Sequence, residues 1–313
     1  MRDVLNGFAT IWMVIGVGWV LADRRILDER AQDTLSRVSF FVGSPALLFL
    51  MLAKADLGRV FSENVIVTVL ATCSAGLLHL LLASTLLRAS QSLGRPELVL
   101  GTACACYVNA ANLGLPIAAF VLKDASWVAP VLLLQVGVLQ PLALSLLDAD
   151  LNSGAPASRS PWAYVSLPFR NPMTVGTLAG LVVNVLGLRV PTVLSPPLEL
   201  LAALSIPGML LAFGMSLRTG PLPGKGPDAP QTALAVGIKL LVHPLIAWGL
   251  AVAFQLPGPT TLAVVVLAGL PTAQNVFVWA SRYGRGVVLV RDAVFITTIA
   301  SLPTVALFSA LVH

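Results

Sequence analysis

Apolar residues in this chain come in blocks of about 20, the length that crosses a hydrocarbon core, and short polar turns separate the blocks. No other feature constrains the fold as strongly. A segment lying in lipid must satisfy its backbone internally, so each block has to be a helix or part of a closed barrel. Composition agrees with lipid as the solvent. Of 313 residues, 57% are hydrophobic and 11% are charged, against about 25% charged in a soluble domain. The expected fold class is an all-α membrane protein of ten transmembrane helices. The spans run roughly over 4–22, 35–53, 65–87, 98–122, 126–147, 173–188, 195–217, 232–255, 260–281 and 287–312.

The first block invites a second reading, as a signal peptide. Its apolar run from Val4 to Ala22 is about 19 residues, longer than a signal core of about 7–15. Asp23-Arg24-Arg25 then suits a helix end better than a cleavage site. It is read as helix 1.

Residues 148–172 hold Asn152-Ser153-Gly154-Ala155-Pro156 and Arg159-Ser160-Pro161, turn-forming chemistry that divides the spans into five and five. The halves echo each other in order. Pro45 in span 2 matches Pro207 in span 7, His79 in span 3 matches His243 in span 8, and Gly114-Leu115-Pro116 in span 4 matches Gly269-Leu270-Pro271 in span 9. Residues 1–147 are expected to form one repeat, 148–172 a cytoplasmic linker and 173–313 a second repeat. Five crossings end on the opposite side, so the second repeat must be inverted. Inverted repeats with broken helices are a signature of secondary transporters.

The net charge is +5. It is not a nucleic-acid signal, because the basic residues sit singly in loops without interleaved aromatics. In a membrane protein they set orientation. Counted in the loops and at the span ends, five Lys and Arg fall on one side and thirteen on the other. The richer side should be cytoplasmic, which puts both termini outside the cytoplasm.

The stretch Tyr107-Val108-Asn109-Ala110-Ala111-Asn112-Leu113-Gly114-Leu115-Pro116 bears most directly on function. Asn is costly in hydrocarbon unless paired or wet. Gly and Pro free backbone groups from the helix ladder, and irregular backbone at membrane depth must be buried in protein or line a cavity. Span 9 repeats the pattern in Gly269-Leu270-Pro271-Thr272-Ala273-Gln274-Asn275. After each break a half-helix would offer its positive N-terminal end, which favours an anion. Simple Pro kinks explain one such span about as well as a site does. Two in matching places favour a site.

Other polar residues within spans admit structural readings of equal weight. Gln135 and Gln140, five apart, do not share an α-helical face; each can bond between helices or touch a ligand. Lys239 and His243 are spaced i, i+4 and do share one. Lys239 can pair with a substrate carboxylate, pair with a carboxylate of the protein or snorkel, and the structural roles weigh slightly more. His79, alone, reads first as a core hydrogen-bonder and only then as a proton carrier. The Asp and Glu residues fall in loops or near span ends, Glu97, Glu199 and Asp292 among them, so a mid-span acid for ion coupling is not expected.

Cys73, Cys104 and Cys106 lie in apolar spans with no zinc-site spacing, and no metal site is expected. Hydrolase, zincin and P-loop motifs are absent from the sequence. Ser44 in a span would suit an intramembrane protease, but Pro45 follows it directly. No catalytic residue is therefore assigned. Gly176-x-x-x-Gly180 permits close helix contact, inside the bundle or at a dimer face.

At these residues the chain resembles the auxin efflux carrier family, which includes bacterial carriers of malonate and malate type. The resemblance rests on the order of motifs along nearly the whole chain. These are Phe40 to Phe49 with Pro45, Asn109 to Ile117, Gln135 to Gln140, Lys239 with Pro244, Leu270-Pro271 through Arg282-Tyr283-Gly284, and Leu302-Pro303. It implies broken helices 4 and 9 crossing at Pro116 and Pro271, and a carboxylate substrate near the crossing. It implies a scaffold of helices 1, 2, 6 and 7, often dimeric, beside a transport domain of helices 3–5 and 8–10 moving as an elevator. The short 148–172 region departs from plant members and favours a small metabolic acid.

The expected function is thus a secondary transporter of a small organic anion. The substrate candidates are Asn109, Asn112, Gly114, Gln135, Gln140, Thr272, Gln274 and Asn275. Lys239, His79 and His243 are candidates for a charge or proton role. No organic cofactor is expected, and the coupling ion, H⁺ or Na⁺, stays open. A sodium symporter of bile acid type and a non-transporting membrane sensor are the alternatives.

Overall fold

The computed structural model describes residues 2–54, 63–87, 94–114, 117–118, 121–122, 127–151, 172–220 and 222–312. Its regular elements are helices: α1 Arg2–Asp23, α2 Glu29–Ala53, α3 Val65–Leu87, α4 Arg95–Cys106, α5 Pro130–Asp150, α6 Pro172–Val185, α7 Ser195–Thr219, α8 Ala229–Ala253, α9 Gly258–Ala268, α10 Gln274–Tyr283 and α11 Val287–Val312. Among the described residues, α2, α3, α5, α7, α8 and α11 are long and apolar enough to cross a membrane, and α6, α9 and Trp12–Asp23 of α1 are shorter apolar helices. Large apolar side chains such as Leu142, Val182, Leu200 and Val252 face outward, as a lipid-solvated surface requires.

The helices pack in two groups. In one, α1 lies along α7, α6 lies along α2, and α2 also meets α7. In the other, α3, α4, α5, α8, α9 and α11 pack on one another, and α10 lies on α11. The first group is sealed by glycines. A Cβ on Gly214 would collide with the Ile15 carbonyl oxygen, and one on Gly18 with that of Leu211. Gly176 and Gly180 meet the carbonyls of Pro45 and Phe49 in the same way. The Gly-x-x-x-Gly of α6 therefore packs inside the protein, against α2.

Several helices widen into π turns, at Ser39–Gly43, Ala83–Leu87, Ala110–Gly114, Gln135–Leu139 and Ile238–Val242. Three of them end two residues before Pro45, Pro141 and Pro244, with the intervening N–H of Ser44, Gln140 and His243 donating five residues back. Proline has no N–H and its ring crowds the carbonyl four residues earlier, and one wide turn relieves that crowding without ending the helix.

Between the groups, α10 reaches α2 and α7, and the Arg282 guanidinium lies 4.9 Å from the Phe41 ring centre. Near the start of α11, Arg291 and Asp292 are 1% and 2% exposed. Arg291 Nε and Nη2 donate to Asp292 Oδ1 at 2.8 and 2.5 Å, and Nη1 donates to Ser216 O of α7 at 3.2 Å. Asp292 Oδ2 accepts the Gly224 N–H at 2.8 Å. Arg291, counted from the sequence among the loop cations, is thus a buried tie between the groups.

Candidate functional site

Two interruptions of helical backbone meet. The helix α4 ends at Cys106, residues 107–109 are extended, and Ala110–Gly114 resumes as a π turn. The break was expected at Gly114-x-Pro116; the chain leaves the helix about two turns earlier. In the second half, α9 ends at Ala268 and α10 starts at Gln274, with Pro271-Thr272-Ala273 between them. The two segments run antiparallel and pair. Asn109 N–H donates to Pro271 O at 2.8 Å, Ala273 N–H donates to Tyr107 O at 3.1 Å, and Val108 bridges Thr272. Each break thereby satisfies backbone groups that the other leaves bare, the condition for irregular chain at membrane depth.

Side chains complete this knot. Thr272 Oγ1 donates to Cys104 O in the last turn of α4 at 2.7 Å, and Thr297 Oγ1 accepts the Thr272 N–H at 3.1 Å. Asn109 Nδ2 donates to Gln274 Oε1 at 2.9 Å, and Gln135 Nε2 donates to Val108 O at 3.1 Å. The Lys239 amino group, fully buried, donates to Ala268 O at 2.7 Å and lies 3.0 Å from His243 Nδ1. It caps the carbonyl end of α9, where the helix dipole is negative. Among the described residues it neither pairs with a carboxylate of the protein nor snorkels, the two structural roles expected from the sequence; its partners are a backbone carbonyl and a histidine. His79 Nδ1 lies 3.1 Å from Thr102 Oγ1, away from the knot.

Beside the knot is a cavity of about 30 Å³, room for one or two waters. Its polar wall is Tyr107, Asn109, Gln135 and Asn275, and its apolar wall includes Leu47, Leu48 and Met51 of α2 and Ile206 of α7. It lies where the two helix groups face each other, at the N-terminal end of α10.

Of the eight substrate candidates, Asn109, Gln135 and Asn275 line this cavity. Thr272, Gln274 and Gln140 are buried in the framework behind it. Gly114 packs in that framework, its N–H on Asn109 O at 2.9 Å. Pro271 holds the crossing strand, while Pro116 and the Asn112 side chain lie outside the described residues. On an α-helix, Gln135 and Gln140 would lie on different faces. The π turn between them brings both inward, Gln135 to Val108 and Gln140 Oε1 to the Tyr107 hydroxyl at 3.4 Å. Sequence reasoning did not find Tyr107 as a wall residue or Thr297 as a support. Tyr107 had a signal, since it opens the Asn-rich stretch; Thr297 had none.

A family model described as "Membrane transport protein" matches residues 3–147 and 164–309. An "Uncharacterized transporter" of Methanothermobacter thermautotrophicus is 27% identical over 305 residues, 96% of this chain and 95% of that protein. A "Putative malonate transporter" of Rhizobium meliloti is 32% identical over 139 residues, 43% of this chain and 42% of that protein.

Proposed function

We propose, from the premise that this chain belongs to the membrane transport protein family, that of the auxin efflux carriers, that it carries a small organic anion through the cavity at the helix crossing. The observation that carries the reading is the knot itself. Two broken segments satisfy each other, Asn109, Gln135 and Asn275 turn to a cavity beside them, and the positive end of α10 points the same way. Amide side chains and helix ends hold a carboxylate without a fixed counter-charge. The name of the Rhizobium meliloti relative agrees with a small carboxylate.

On this reading the chain crosses the membrane ten times as two inverted repeats, 1–147 and 173–313, joined by 148–172. The group containing α1, α2, α6 and α7 is the scaffold, and the other group moves against it as an elevator. The separation of the two groups, and the apolar wall that α2 and α7 lend to the cavity, support this division. A cavity of about 30 Å³ must widen to take an acid, and relative movement of the groups would widen it. Both termini lie outside the cytoplasm of an inner-membrane protein. Alkaline phosphatase fused after His313 should be active and green fluorescent protein there dark; the reverse pattern would invert the topology.

The test is solute counterflow in proteoliposomes with malonate, malate, succinate and indole-3-acetate, beside a cation and a neutral amino acid. Exchange of one acid by the native chain, lost in Asn109→Ala, is the expected result. Equal exchange by native and Asn109→Ala protein would remove the crossing as the site. A strict Na⁺ requirement would mark a sodium symporter instead.

A further inference from the structure

A second cavity lies behind the first. It measures about 190 Å³, more than the roughly 150 Å³ that suffices to bind benzene. Its wall is apolar in character, with Ala103 and Cys106 of α4, Leu139 and Ala143 of α5 and Trp279 of α10, and with Leu142 and Leu146 at its rim. Leu142 and Leu146 are 56% and 50% exposed, so this chamber opens toward lipid. None of the hydrogen bonds that hold the crossing needs it.

Tyr107 belongs to the wall of both cavities. Its ring meets Trp279 edge to face, with 5.1 Å between centres and 81° between planes. Its hydroxyl donates to Gln140 Oε1 at 3.4 Å. Tyr107 is 3% exposed and Trp279 is fully buried. The phenol is therefore fixed between a polar pocket too small for an organic acid's body and an apolar chamber large enough for a ring.

We propose that Tyr107 is the size filter of the carrier: it closes the polar cavity that holds the carboxylate off from an apolar chamber that accepts the alkyl or aryl body of a larger acid. This rests on the crossing being the carboxylate site. With the ring in place the native chain takes compact acids. With the ring removed the two cavities join, and an acid can keep its carboxylate at Asn109 and Asn275 while its body lies against Ala143 and Trp279. Burial of a phenyl group there replaces contacts with water, which favours the larger acid.

The experiment compares malonate and propionate with phenylacetate in counterflow, using native protein, Tyr107→Ala, Tyr107→Val and Tyr107→Ala/Ala143→Leu. Thermal stability of each purified protein is measured with and without each acid. The expected result is a phenylacetate-to-propionate ratio at least tenfold higher in Tyr107→Ala than in native protein, reversed when Ala143→Leu refills the chamber. Tyr107→Val carries the same expectation should the alanine variant not fold. An unchanged ratio in both single variants, or a native chain that already prefers phenylacetate, overturns the proposal. Silence of every protein in counterflow would defeat the carrier reading. Phenylacetate raising the melting temperature of Tyr107→Ala but not of native protein would then still support the filter, and equal shifts or none would overturn it.

Discussion

Asp292→Ala should leave little folded protein in the membrane. The carboxylate is the counter-charge of Arg291, and the two are 2% and 1% exposed. Removing one member of a buried pair costs about 3–5 kcal/mol, because the other charge stays without compensation. That is a large part of a typical stability of about 5–15 kcal/mol. The variant also strips the Gly224 N–H of its acceptor. Replacing both residues by apolar side chains of similar size, as in Arg291→Met/Asp292→Leu, should restore much of the folded protein, since an apolar pair carries no charge to desolvate. Detergent extraction followed by size-exclusion chromatography reads both outcomes. Native levels and melting of Asp292→Ala would mean that Arg291 finds another anion.

Lys239→Met should keep the protein in the membrane and lose most of its transport. Methionine fills nearly the same space but leaves Ala268 O without its donor at the end of α9. Loss of a strong buried hydrogen bond costs about 1.5–3 kcal/mol, which the protein can survive. Function is less tolerant. The Ala268 carbonyl is three residues before Pro271, whose own carbonyl pairs with Asn109 N–H, so a shift at the end of α9 moves the cavity wall. Misplacement of binding groups by about 1 Å can cost about a hundredfold in rate. Counterflow beside a melting curve separates the two effects. Native transport by Lys239→Met would reduce Lys239 to a packing residue, and a collapsed melting curve would make its role chiefly structural.

The sequence made some of this legible and hid the rest for definite reasons. Apolar blocks and their Gly-Pro interruptions revealed the helices and the break before α10, because hydropathy and missing backbone donors act locally. The break at 107–109 was hidden. Nothing in Tyr107-Val108-Asn109 forbids a helix; the chain is extended there because Pro271-Thr272-Ala273 offers partners from the other half. Nothing local announced the π turns before Pro45, Pro141 and Pro244. The one before Pro141 reverses the expected separation of Gln135 and Gln140. Arg291 and Asp292 read as end charges, since their burial comes from Ser216 and Gly224, distant in sequence. Lys239 and His243 were paired by helical spacing alone, and they do touch.

The glycine seams carry a consequence in time. Gly18 meets Leu211 and Gly214 meets Ile15, partners separated by roughly 200 residues of chain. At about 5–20 residues per second of synthesis, α1 leaves the ribosome some 10–40 s before α7 exists. It must wait in the bilayer with the face that α7 will cover held against lipid, and α2 must wait in the same way for α6. Neither half of the chain can finish its own share of the structure. Each supplies helices whose resting places are made by the other, so separately expressed halves should become protease-resistant only when both are made in one cell.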